Sequence, residues 1–207
     1  FVNNHVVANG IISHLGNSAG GGGMQVVHTN GTVDVSMTDS LFDSNTAQAD
    51  NATLINPFTS SEMVGGNANG GGGMLVASNS HALLLLSNVR WTNNTALVRN
   101  STTLGQVSNT GSFSGGGALH AFAMLQLDFV LNVNTWQHNH VSAVGSVSVA
   151  DVDGGGAVLA VTAGSIHANI TSDMVADNSL VASQVASQLG VSFAGQSCGG
   201  AMSFQNV

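Results

Sequence analysis

Lysine and tyrosine are missing from this chain, and the only cationic side chains are Arg90 and Arg99. Nucleic-acid phosphates are bound through clustered Lys and Arg, so two arginines and a net charge of −8 exclude most nucleic-acid readers. Anionic membrane surfaces are disfavoured for the same reason. Charged residues make up 6% of the chain, against roughly 25% in ordinary globular proteins. The single cysteine, Cys198, rules out a disulfide framework within the chain; its ordinary role is that of a small apolar filler. Long apolar runs are absent too. The strongest, Ala82 to Leu86, is far shorter than the roughly 18 residues of a membrane helix, and no membrane insertion is expected. So little charge could signal disorder. The 43% hydrophobic content argues otherwise, because disordered chains lack apolar residues to bury.

What fills the sequence is a repeat. Gly-Gly-Gly followed by Met or Ala recurs at Gly21 to Met24, Gly71 to Met74, Gly115 to Ala118 and Gly154 to Ala157, with a fifth copy reading Cys198-Gly199-Gly200-Ala201. A second motif is a large apolar residue, two variable residues and Asn: Phe42 to Asn45, Trp91 to Asn94, Trp136 to Asn139 and Val175 to Asn178. Phe1-Val2-Asn3-Asn4 is the same motif again. From Met24 to Phe42, Met74 to Trp91, Ala118 to Trp136 and Ala157 to Val175 the separations are 18, 17, 18 and 18 residues. A lone Gly triplet reads as a flexible linker; five copies in step with a second motif read as structural repeats. The repeat units begin near 21, 71, 115, 154 and 198, within one segment covering residues 1–207.

Between the motifs apolar residues alternate. Nine residues past Met24, Met74, Ala118 and Ala157 lie Val33, Leu83, Leu127 and Ile166; two further on lie Val35, Leu85, Phe129 and Ala168; two more reach Met37, Ser87, Leu131 and Ile170. A period of two is the strand signal, with these positions directed inward. Glycine and β-branched residues oppose helix. Length variation is confined to the stretches after the Asn motif, 47–70, 96–114, 141–153 and 180–197. A constant core with one variable insertion is what stacked coils produce. The expected fold is therefore all-β: a right-handed parallel β-helix, or solenoid, with insertions at one corner. In it Asn4, Asn45, Asn94, Asn139 and Asn178 would stack as an amide ladder.

Gly116-Gly117-Ala118, Gly155-Gly156-Ala157, Gly199-Gly200-Ala201, Phe42-Asp43-Ser44-Asn45 and Trp91-Thr92-Asn93-Asn94 together resemble the repeats of the chlamydial polymorphic outer membrane proteins and related surface β-helix proteins. The likeness runs the length of the chain. Departures are Met after the first two Gly runs, Trp for Phe twice, and Val175 for Phe. The resemblance implies an extracellular or cell-surface protein without catalytic residues or cofactors, serving in a coat, in display or in adhesion.

Other residues are of types that can carry chemistry. Sequons stand at Asn30, Asn51, Asn93, Asn100 and Asn169, although about four would arise by chance in so Asn- and Ser/Thr-rich a chain. Asn51 and Asn100 each fall six residues past a ladder Asn, at the start of the variable stretch, and are the sequons expected to carry N-glycans. His138 and His140 have the i, i+2 spacing of strand metal ligands but no third ligand nearby, so they are expected to be surface histidines, as are His14 and His120. Asp151 and Asp153 superficially resemble paired carboxylates of polysaccharide-degrading β-helices, the less favoured enzymatic reading. The favoured function is a structural rod or filament, with an adhesin-type binding module as the alternative. Interface hot spots are rich in Trp, Tyr and Arg, and the variable stretches offer Phe58, Phe113 and Phe193 but neither Trp nor Tyr. Because Phe1 falls on the Asn motif and Gly199 to Val207 on a Gly strand, neighbouring segments of a longer protein, or other copies of the chain, are the expected partners.

Overall fold

The computed structural model describes residues 1–9, 12–13, 21–28, 31–51, 53–56, 71–100, 102–105, 116–144, 147–148, 156–162, 164–183, 186–187 and 201–206. Its strands follow the repeat. The chain enters with β1 (His5–Asn9) and β2 (Ile12–Ser13). The next repeat supplies β3 (Met24–His28), β4 (Val33–Thr38), β5 (Leu41–Asp43), β6 (Thr46–Asp50) and β7 (Thr53–Asn56). Then come β8 (Met74–Ser78), β9 (His81–Ser87), β10 (Arg90–Thr92), β11 (Thr95–Arg99) and β12 (Thr102–Gly105). The third set is β13 (Leu119–Ala123), β14 (Gln126–Asn132), β15 (Thr135–Gln137), β16 (His140–Val144) and β17 (Val147–Ser148). The fourth is β18 (Val158–Thr162), β19 (Ser165–Thr171), β20 (Met174–Ala176), β21 (Ser179–Ser183) and β22 (Ala186–Ser187), and β23 (Met202–Asn206) closes the series.

Every pairing is parallel, and each joins equivalent strands of successive repeats. The described residues form five sheets, ordered β1-β6-β11-β16-β21, β20-β15-β10-β5, β2-β7-β12-β17-β22, β23-β18-β13-β8-β3 and β19-β14-β9-β4. The protein is all-β with parallel strands in stacked sheets, and the described residues contain no helix. The inner faces of three of these sheets, those containing β8, β9 and β10, share one apolar cluster that includes Val35, Phe42, Met74, Leu84, Trp91 and Phe129. Left-handed residues break the chain between strands: Asp39, Asn88, Val133 and Ser172 at one bend, Ser44, Asn93, His138 and Asp177 at the next. Short polar side chains tolerate this conformation; the β-branched Val133 does so only with strain.

The register corrects the alignment of the Gly runs. Met24 pairs with Met74, Met74 with Leu119, Leu119 with Val158, and Val158 with Met202. The methionines therefore do not replace Ala118 and Ala157. Gly23 and Gly73 hold that place: the Gly23 amide donates to the Gly73 carbonyl, the Gly73 amide to Ala118, and Ala118 to Ala157. Glycine is required just before it. A Cβ on Gly72 would lie 2.1 Å from the Gly117 oxygen and 2.5 Å from the Thr95 backbone.

The same shift corrects the core in the second full repeat. Ala82, Leu84 and Leu86, not Leu83, Leu85 and Ser87, share a rank with Val33, Val35 and Met37 and with Leu127, Phe129 and Leu131. Leu84 is fully buried and Leu85 is 39% exposed, because a one-residue slip in a strand exchanges its faces. The odd residue lies in the turn before Val33: Met24 is nine residues from Val33, whereas Met74, Leu119 and Val158 are eight from Ala82, Leu127 and Ile166. In β19, at the edge of its sheet, Ala168 and Ile170 occupy inward ranks but are exposed.

Two further differences concern the outside of the fold. Each stretch read as a variable insertion opens with two regular strands, such as β6 and β7 or β11 and β12. And β8 and β13 are buried on both faces, Leu75, His120 and Phe122 on the outer side being at most 2% exposed, and Leu159 of β18 is buried in the same rank as His120. Continuous apolar runs such as Met74 to Ala77 and Ala157 to Val161 are the sequence mark of strands covered on both sides.

Candidate functional site

The most organised feature is a pair of ladders at the bend before the sheet that starts with β1. Asn94 shows the unit. Its Oδ1 accepts from the Asn45 backbone N–H at 3.1 Å and from Asn45 Nδ2 at 2.9 Å. Its Nδ2 donates to Asn139 Oδ1 at 3.0 Å and to the Phe42 carbonyl at 2.9 Å. All four hydrogen-bonding positions of the amide are used. Asn4 joins Asn45 in the same way, and Asn139 joins Asn178, so the five asparagines singled out in the sequence form one unbroken chain of amides. Asn45, Asn94 and Asn139 have no solvent exposure.

Beside it runs an aromatic stack. Phe1 and Phe42 have ring centroids 4.6 Å apart, Phe42 and Trp91 4.2 Å, and Trp91 and Trp136 5.1 Å, each pair stacked with its planes nearly parallel. The two indoles differ in their polar end. Trp136 Nε1 donates to Asp173 Oδ2 at 3.0 Å, while Trp91 Nε1 is buried without a partner. Asp173 also accepts from the Asn134 backbone and side chain. Asn134 in turn accepts from the Val89 amide and donates to the Leu86 carbonyl. This second, shorter ladder was missed because its positions read Val89, Asn134 and Asp173, with no recurring residue type.

The sequons fall in different settings. Asn51 and Asn100 are exposed, left-handed (φ 49° and 47°) and equivalent: their amides donate to Arg99 and Val144 of the following repeat. Asn93 is exposed, but its Nδ2 donates to Asp43 Oδ1 at 3.1 Å. The Thr92 hydroxyl, donating to Asp43 at 2.6 Å, lowers that carboxyl's pKa, and Asn93 adds to the effect against partial burial. Asn169 is exposed within β19. Asn30, His14, Cys198, Asp151, Asp153, Phe58, Phe113 and Phe193 lie outside the described residues.

The histidines do not gather. His138 is exposed and 3.9 Å from Asp177; His140 Nδ1 lies 2.7 Å from the Ser179 hydroxyl, and partial burial lowers its pKa. Among the described residues no three His, Cys, Asp or Glu side chains come together as a metal site. His120 is not a surface residue. It is 2% exposed on the covered face of β13, and loss of hydration lowers its pKa to about 4. Arg99 is paired with Asp50 at 3.0 Å. Arg90 lines a shallow groove with Asp39, Ser40, Leu41 and Asn88. Among the described residues no helix is long and apolar enough to cross a membrane.

Comparison with family models, curated proteins and solved structures returned no match. The likeness to polymorphic outer membrane proteins rests on the motif residues alone.

Proposed function

We propose that the chain is a segment of a right-handed parallel β-helix with its insertions at one corner, and that it serves as a structural rod or filament module on the outside of a cell. The observation that carries the reading is the continuity of the ladders. An amide chain from Asn4 to Asn178 and a ring stack from Phe1 to Trp136 run through successive repeats at constant register. Such ladders spend buried polar and aromatic side chains on axial cohesion.

Self-association, or contact with neighbouring segments of the same protein, fits this reading, because stacked parallel strands pair with strands of the same kind. An adhesin-type binding module is the second reading, favoured by the groove that Arg90 lines with Asp39, Ser40, Leu41 and Asn88. Electron microscopy of the protein in its native source tests the choice. An ordered coat, rod or fibre labelled by antibody to this chain supports the structural reading. A dispersed protein confined to the cell interior contradicts both.

A further inference from the structure

We propose that Asn51 and Asn100 are a stacked pair of N-linked oligosaccharide acceptors, distinguished from the other sequons by how residues vary down each rank. The two tripeptides are held in the same register at both ends: Asp50 pairs with Arg99 just before them, and Thr53 pairs with Thr102 at their last residue. Five repeats contribute to that rank, which reads Ile12, Thr53, Thr102, Val147 and Ala186. The residues two positions earlier in sequence are Gly10, Asn51, Asn100, Gly145 and Gln184. Asparagine and threonine occur together in the same two repeats and are both absent from the other three. The left-handed conformation at 51 and 100 accounts for asparagine or glycine there. It places no demand on the residue two positions later. A glycan acceptor demands both.

The other described sequons lack this coupling. Thr95, which completes the sequon of Asn93, pairs with Thr46 and Thr46 with His5. The residues two earlier are Asn93, Ser44 and Asn3, so threonine occurs without asparagine and asparagine without threonine. Thr171, two past Asn169, shares its rank with Asn132, Ser87 and Thr38, where a hydroxyl recurs behind Leu85 and Ser36. Those hydroxyls belong to the sheet pattern. Asn93 is further committed by its bond to Asp43 and by the fully buried ladder residue Asn94 inside its sequon.

The transfer needs an oligosaccharide carried on a polyprenyl pyrophosphate and a membrane oligosaccharyltransferase. The side-chain nitrogen of Asn51 or Asn100 bonds to the anomeric carbon of the first sugar. The bond from that carbon to the pyrophosphate oxygen breaks, the lipid pyrophosphate leaves with the electron pair, and the amide gives up one proton. No redox change occurs. Because both acceptors are exposed at a bend, the sugars would leave from one edge of the stack and the ladders would stay intact.

The test directs the full chain through the secretory route of a eukaryotic host and maps sites by N-glycosidase digestion in ¹⁸O water, which converts each occupied Asn to labelled Asp. Label at Asn51 and Asn100, with occupancy at Asn93 well below either, is the expected result. Thr53→Val and Thr102→Val should each remove one glycan from the intact mass. Asn51→Gly and Asn100→Gly should do the same with the turn conformation preserved. An unglycosylated pair in a folded, secreted chain overturns the proposal, as does a glycan that survives the threonine variants or an Asn93 occupancy equal to theirs. Since the host supplies the secretory route, failure here leaves the rod reading untouched, and failure of the rod reading does not alter the occupancy.

Discussion

Asn94 and Asn139 are joined through a single oxygen: Asn139 Oδ1 accepts both the backbone N–H and the Nδ2 of Asn94, at 3.1 and 3.0 Å. The side chain of one repeat thus satisfies a main-chain donor of the repeat before it. Truncation at this site orphans groups on two neighbours. Asn94→Ala leaves the Asn45 backbone N–H, one Asn45 Nδ2 proton and one Asn139 acceptor site without their partner in a dry interior. Each unsatisfied group costs about 1–3 kcal/mol, so the variant should lose roughly 3 kcal/mol or more in denaturant unfolding. Asn4→Ala, at the exposed end of the ladder, should lose much less.

The two tryptophans give a sharper comparison. Trp91→Phe keeps a ring in the stack and removes an N–H that has no partner. It should cost less than about 1.5 kcal/mol, as volume-similar core changes do. Trp136→Phe also deletes the bond to Asp173 and should cost about 1 kcal/mol more than the Trp91 change. Equal losses, read from melting curves of the two variants, would mean that the indole nitrogens do not differ as described.

Val133 is exposed and left-handed, with φ 57°. The equivalent residues Asp39 and Asn88 suit that conformation, and Asn88 Nδ2 donates to Asp39 Oδ1 at 2.6 Å. Val133→Asn or Val133→Gly should therefore stabilise the chain by about 1 kcal/mol, raising the midpoint of thermal unfolding. A fall would show that Val133 makes a contact that outweighs its strain.

How far the sequence could be read is clearest in the second full repeat. The Asn and Phe/Trp positions were legible because each demands one chemical type and keeps a fixed spacing. The strand faces there were not, because Ala82-Leu83-Leu84-Leu85-Leu86 is apolar on both parities and carries no alternation. Anchoring it on Met74 shifted it by one residue, since Gly23 and Gly73 stand where later repeats have Ala118 and Ala157. The Asn-Thr coupling at Asn51 and Asn100 needed the pairing of Thr53 with Thr102 before its recurrence could be compared rank by rank. The corrected register makes its own prediction. Leu84→Asp buries a lone carboxylate and should cost several kcal/mol, whereas Leu85→Asp, on the solvent side, should change stability by less than about 1 kcal/mol.

His120 gives the chain an acid sensitivity. Its folded pKa, near 4 through loss of hydration, lies below the ordinary value of about 6.5. The unfolded chain therefore binds a proton first as pH falls. Stability from the neutral ring is fully present above about pH 6.5 and declines between there and about pH 4, by up to about 3 kcal/mol. His120→Leu, which keeps an apolar side chain between Leu75 and Leu159, should flatten this part of the stability profile. An unchanged slope in urea titrations across that window would assign the acid sensitivity to other groups.

Exchange of the side-chain amide protons of Asn45, Asn94 and Asn139, followed by NMR in deuterated buffer, tests the continuous ladder most directly. The account predicts that all three Nδ2 groups exchange orders of magnitude more slowly than a free asparagine, with cross-relaxation linking the amide protons of Asn45 to those of Asn94 and those of Asn94 to those of Asn139. Exchange at the free rate, or amides that show no neighbour in the series, would contradict it.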